Sequence, residues 1–258
     1  MILKGSYSVS GKDILTNQLP GVTLKENRYI GSEIKTKDFY RYGYFEIKAK
    51  ANLSEGIVSA FWLLGDRDSE SNIEYELDIF EGFGKYNGLF KQTALAHYYP
   101  NGFNNGQGQK ESTANLYEPV NDLSSGDVFK SDQLTAWCKN GDLGNRYIPD
   151  DLGTESYFHV ENPEEWHTYG LDWRKDSITW YIDGVATSRL LIPEEGVTVP
   201  VNTANGQKNM TYYFNEPMRL ILSCYVDTSD NKPWSLVGDD TDWNKASMEV
   251  EYVHIYQY

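Results

Sequence analysis

The stretch Glu76-Leu77-Asp78-Ile79-Phe80-Glu81 constrains this chain more than any other. Three carboxylates fall within six residues, interleaved with Leu, Ile and Phe. Branched and aromatic side chains fit a pleated, half-buried surface, so the stretch reads as a strand. Successive side chains in a strand alternate faces. Strict alternation puts Glu76, Asp78 and Phe80 on one face and Leu77, Ile79 and Glu81 on the other. Glu81 then falls among core residues, where an unpaired carboxylate is costly. One extra residue between Asp78 and Glu81, as a β-bulge, returns Glu81 to the face of Glu76 and Asp78, and bulges are frequent beside active sites. The expectation is three acids in a row on one sheet face. The alternative is a solvated strand face that carries its acids by chance.

The flanking sequence is β-patterned. Tyr44 to Lys50 alternates Phe45, Ile47 and Ala49 with Glu46, Lys48 and Lys50. Gly56 to Leu64 is an apolar run that its neighbours decide as a strand, and Trp62 within it is either core or a sugar platform. Thr93 to Tyr99 reads as the antiparallel partner of the acid strand, which brings His97 within reach of the carboxylates. Trp166 to Trp173 alternates again, and Ser177 to Val185 ends in Asp183-Gly184, a strong hairpin signal. Pro217 to Tyr225 is a long apolar strand. Met248 to Tyr256 closes the pattern, with Met248, Val250, Tyr252 and His254 expected on one face and Glu249, Glu251, Val253 and Ile255 on the other. Residues 1–30 read as short strands and turns, with apolar pieces at Ile14–Leu15 and Val22–Leu24. Residues 100–165 are rich in Gly, Asn, Asp and Ser, and long loops of this kind border function. Trp137, Tyr117 and Tyr147 there are candidate sugar contacts. Many short strands with turn signals, and no convincing linker, predict one all-β domain over 1–258, an antiparallel β-sandwich.

Composition narrows the partners. With 23 basic and 38 acidic residues the net charge is −15, which argues against nucleic acid and anionic membranes. Twenty tyrosines and seven tryptophans supply a core and leave a surplus of the kind that lines sugar clefts. Cys138 and Cys224 could pair, although nothing in their spacing requires it. No segment is long and apolar enough for a transmembrane helix, and Met1 to Ser10 lacks the apolar core of a signal peptide. No His/Cys cluster has metal-ligand spacing, so neither a metal nor another cofactor is expected.

Paired carboxylates suit glycoside hydrolysis, one as acid on the leaving oxygen and the other as nucleophile or base. Same-face residues rise by about 6.6–7 Å per pair. Glu76 and Glu81 converge only if the sheet is concave and their side chains lean inward over Asp78. Three acids could also bind calcium, but a single strand supplies ligands on one side only.

Beyond the acid row, Tyr40 to Lys50, Ala60 to Leu64, Trp166 to Gly184 and Met248 to Tyr256 together resemble glycoside hydrolase family 16. The resemblance implies a β-jelly roll with a concave substrate cleft and retaining endo-hydrolysis of a polysaccharide, by a secreted, periplasmic or surface-exposed monomer. Carried over by position, Glu76 is the nucleophile, Asp78 the assisting acid and Glu81 the acid/base. Trp62, His97 and Trp137 are the substrate-binding candidates. The spacing matches the bulged form found in laminarinases, agarases, porphyranases and carrageenases. Ser71 to Tyr75 lacks the approach usual in laminarinases, which tilts the expectation toward a β-galactan such as agarose or porphyran. An endo-β-1,3-glucanase and a non-catalytic carbohydrate-binding sandwich are the alternatives, with a transglycosylase using the same acids as a third. A structural calcium ion, carried by some members, is not counted on here. A sulfated substrate would need cations in the cleft, for which Arg67, Lys110, Lys130 and Arg146 are candidates.

Overall fold

The computed structural model describes residues 1–4, 6–8, 28–52, 54–66, 73–84, 89–99, 112–115, 134–135, 142–143, 146–147, 156–160, 162–203, 206–226 and 241–258. No helix occurs among them, and every strand pairing is antiparallel. Strands are numbered in chain order. A six-stranded sheet runs, edge to edge, β1 (Ile2–Lys4), β20 (Ser247–Tyr256), β5 (Gly43–Asn52), β14 (His167–Trp173), β15 (Ser177–Ile182) and β16 (Val185–Leu191). An eight-stranded sheet runs β10 (Leu134–Thr135), β13 (Ser156–Val160), β8 (Leu89–Tyr98), β7 (Ile73–Phe83), β6 (Ile57–Gly65), β19 (Met218–Val226) and β4 (Ser32–Lys35), with β9 (Ser112–Asn115) also paired to β8. Three two-stranded ribbons join β2 (Ser6–Ser8) to β3 (Arg28–Ile30), β11 (Asp142–Leu143) to β12 (Arg146–Tyr147), and β17 (Val197–Thr203) to β18 (Gly206–Tyr212).

The two large sheets share one core. Phe45 and Ile47 of β5, Tyr169 and Leu171 of β14, and Ile178 and Trp180 of β15 are fully buried with Phe61 and Leu63 of β6, Leu77 of β7, Phe90 of β8 and Leu220 of β19. Burying a side chain of this size stabilises the fold by about 1.5–3 kcal/mol. The sandwich expected from the alternating pattern is the observed architecture. Asp183 (φ 49°) and Gly184 (φ 75°) form the tight β15–β16 turn, as that dipeptide predicts.

Two details depart from expectation. β20 slips register between Val250 and Tyr252. Met248 and Val250 face the core, but beyond the slip Val253 and Ile255 pack against it. Tyr252 and His254 therefore stand on the outer face, opposite to expectation. The β17–β18 ribbon was not anticipated. Its signal, Asn205-Gly206, stood unused in the sequence. The pieces at Ile14–Leu15 and Val22–Leu24 lie outside the described residues.

Candidate active site

The acid strand β7 carries the bulge at the expected place. Against β6, Phe61 pairs with Phe80 and Trp62 with Asp78, so Ile79 is the extra residue. Against β8, Asp78 pairs with Thr93 and Glu81 with Lys91. Ile79 and Phe80 both turn inward and are fully buried. Alternation alone would have left Phe80 beside the acids. The bulge instead sends it into the core, where its ring lies 4.3 Å from Tyr169 and 5.6 Å from Phe90.

Glu76, Asp78 and Glu81 line one cavity of about 300 Å³ on the outer face of the eight-stranded sheet. That is the lower end of the size range of small-molecule pockets. Trp62 lines it too, half-buried, with its indole N–H donating to Ser223 Oγ at 3.2 Å. Glu33, Ser223 and Tyr225 complete the wall from β4 and β19. Glu33, Glu76, Asp78 and Glu81 bring four carboxylates to the lining, and none of the lining residues is Lys or Arg.

Each acid has a neighbour from β8. His97 Nε2 lies 3.0 Å from Glu76 Oε2, so the antiparallel pairing does bring His97 to the row. Thr93 Oγ1 donates to Asp78 Oδ2. Lys91 Nζ lies 3.4 Å from Glu81 Oε2, and both side chains are largely buried. Burial holds the Asp78 carboxyl well above the usual carboxylate range, reinforced by the charges of Glu76 and Glu81 and opposed by Lys91 and Thr93. From the far side of the core, Trp180 Nε1–H donates to the Asp78 carbonyl at 2.8 Å. The backbone beside the bulge is therefore held from the opposite sheet.

Sequence reasoning missed three neighbours. Lys91 and Thr93 were readable once the β7–β8 register was known, because they stand directly opposite Glu81 and Asp78. Glu74 is a fourth carboxylate on this strand, 2% exposed and bonded by Tyr99 O–H at 2.9 Å. Trp137 and Tyr117 lie outside the described residues, as do Cys138, Arg67, Lys110, Lys130 and the side chains of Arg146 and Tyr147. Among the described residues no cluster of His, Cys, Asp and Glu could hold a metal ion, and no helix is long and apolar enough to cross a membrane.

The family model for glycosyl hydrolases family 16 matches residues 4–123 and 139–252. The chain belongs to this family. The resemblance read from the acid row and its flanking strands is thereby confirmed for most of its length. Among curated family relatives, a xylanase/β-glucanase of Ruminococcus flavefaciens is 30% identical over 158 residues, 61% of this chain and 13% of that protein. A β-glucanase of Brevibacillus brevis is 29% identical over 183 residues, 70% of this chain and 51% of that protein. The chain thus spans about half of these curated relatives or less. A κ-carrageenase structure from Zobellia galactanivorans superposes with a TM-score of 0.54 at 18% identity, covering 99% of this chain and 78% of the other, which shows a common fold.

Proposed function

We propose that this family 16 chain is a retaining endo-β-glycosidase acting on a polysaccharide. The observation that carries the reading is the bulged row of Glu76, Asp78 and Glu81 lining one cavity beside Trp62. Glu76 attacks the anomeric carbon while Glu81 protonates the departing glycosidic oxygen. Water, deprotonated by Glu81, then attacks the anomeric carbon of the glycosyl-enzyme, breaks its bond to Glu76 and releases the sugar. His97 holds one oxygen of Glu76 and leaves the other to react. Asp78, its carboxyl pushed up by burial and by the charges of Glu76 and Glu81, stands between the two glutamates in the row. Lys91 offers Glu81 a counter-charge once its proton has gone. A polymer of this kind does not cross a membrane, so the site of action is outside the cytoplasm.

The substrate we infer is neutral. Four carboxylates in the described lining disfavour sulfated chains such as porphyran. Relatives near 30% identity named as β-glucanases support a β-glucan. Agarose, an uncharged galactan, is the second reading, favoured by the Ser71 to Tyr75 approach to the acids.

The test is hydrolysis of laminarin, mixed-linkage glucan, agarose, porphyran and κ-carrageenan, read by product size and anomeric configuration, with added acceptor sugar to reveal transfer. Glu76→Gln and Glu81→Gln should each lose most activity. Binding without cleavage across the panel would defeat the enzyme reading. Full activity in Glu76→Gln would overturn the nucleophile, and cleavage of sulfated chains alone would overturn the neutral substrate.

A further inference from the structure

A second cavity, of about 330 Å³, opens at one end of the six-stranded sheet. Tyr42 precedes β5, Lys175 and Asp176 form the β14–β15 turn, Glu194 follows β16, and Tyr213 and Asn215 precede β19. None of its lining residues is shared with the acid cavity.

Its backbone is unusual. Four non-glycine residues among those described have positive φ. Asn162 and Asp183 are types that accept the left-handed region, whereas Tyr42 (φ 63°) and Phe214 (φ 46°) are bulky residues that rarely do. Tyr42 lines this cavity, and Phe214 sits between its lining residues Tyr213 and Asn215. Strain of this kind persists only where surrounding structure enforces it, and it gathers at ligand sites. Here Trp173 contacts both bends. Its ring lies 5.4 Å from Tyr42, and its indole N–H donates to the Phe214 carbonyl at 2.9 Å. Gly196 leaves room for Tyr213, since a Cβ there would meet the tyrosine ring at 2.8 Å. Tyr213 is 41% exposed, held out at the rim rather than folded into the core.

The chemistry of the lining selects a ligand. Tyr213, exposed at the rim with Tyr42 beside it in the lining, supplies an aromatic ring of the kind that packs on the C–H side of a sugar. Lys175, Asp176, Glu194 and Asn215 offer donors and acceptors for its hydroxyls. Their charges nearly balance, which favours an uncharged ligand. We propose that this cavity is a second, non-catalytic site for a neutral saccharide segment, anchoring the polymer while the acid cavity cleaves it. The inference rests on the polysaccharide reading, which supplies the ligand class.

The experiment uses the full chain with laminarihexaose and neoagarohexaose as probes. In a Glu76→Gln background, calorimetry should find two sites for whichever hexasaccharide the parent chain cleaves. Tyr213→Ala, or Glu194→Gln as a milder variant, should abolish one of them. With Glu76 intact, the same substitutions should raise KM for the polymer by about 5- to 10-fold, as loss of a tethering contact predicts, while KM for the hexasaccharide moves far less. One binding site for a cleaved hexasaccharide, or two sites that both survive in the Tyr213 and Glu194 variants, would overturn the inference. A chain that cleaves neither probe nor any polymer of the panel, yet binds one through Tyr213, would defeat the hydrolase reading and keep this site. Neither binding nor cleavage would defeat both.

Discussion

Deleting Ile79 tests the bulge directly. The register places Glu76 opposite Leu64 and Glu81 opposite Ala60, four residues apart on β6. At about 3.3 Å per residue this sets the two Cα atoms roughly 13 Å apart along the strand. Without Ile79 the order becomes Glu76, Leu77, Asp78, Phe80, Glu81. Strict alternation then keeps all three acids on the outer face and Phe80 in the core, with the same partners on β6. The separation of Glu76 and Glu81 is unchanged. The deletion has two costs. Loss of a fully buried isoleucine is worth about 2–5 kcal/mol. A regularised ladder also draws the Asp78 carbonyl away from Trp180, and an orphaned buried N–H costs about 1–3 kcal/mol. At about 2–4 °C per kcal/mol, the midpoint should fall by roughly 6–32 °C. The variant should be assayed at 10 °C beside Ile79→Ala, which keeps the bulge, and Glu81→Gln. A misplacement near 1 Å can cost about 100-fold, so kcat/KM should stay within about that factor of the parent. A folded deletion variant as inactive as Glu81→Gln would refute the assignment of faces.

Three further outcomes are expected. Asp78 has its folded pKa raised above its unfolded value near ~3.9, so the stability it confers is complete below that value and is lost as pH rises toward the folded one. Thermal midpoints of the parent should therefore decline from pH 4 upward relative to Asp78→Asn, and parallel curves would contradict the raised value. His97→Ala removes a partner of Glu76, and hydrogen bonds to charged groups are worth about 1.5–3 kcal/mol. Its kcat should fall about 10- to 100-fold with the fold intact by circular dichroism, and an unchanged kcat would free Glu76 of this partner. Trp62→Ala removes the aromatic wall of the cavity and should lower kcat/KM about 10- to 100-fold, as a loss of about 1.5–3 kcal/mol of contact implies. Equal kinetics would return Trp62 to a packing role.

The bulge in β7 was legible because a carboxylate among core residues is too costly to ignore, and only an extra residue removes it. The matching slip in β20 carried a softer signal. There the apolar parity changes from Met248 and Val250 to Val253 and Ile255. Tyr252 and His254 are amphipathic enough to fit either face, so alternation ran on unopposed. Pairing by hairpin order made the approach of His97 to Glu76 readable. Glu74 was less so, since a buried acid bonded by Tyr99 depends on partners from another strand. The backbone bends at Tyr42 and Phe214 had no local signal at all. Trp173 touches both, through contacts between segments far apart in the sequence.

The hydrogen bond from Trp180 to the Asp78 carbonyl also bears on descent. Its partners lie 102 positions apart, on strands of opposite sheets. A lineage that shortened the acid motif by one residue would strand a buried indole N–H, and one that replaced Trp180 would leave a carbonyl beside the bulge unclaimed. Motif length and the residue at position 180 should therefore drift together, as a single inherited trait.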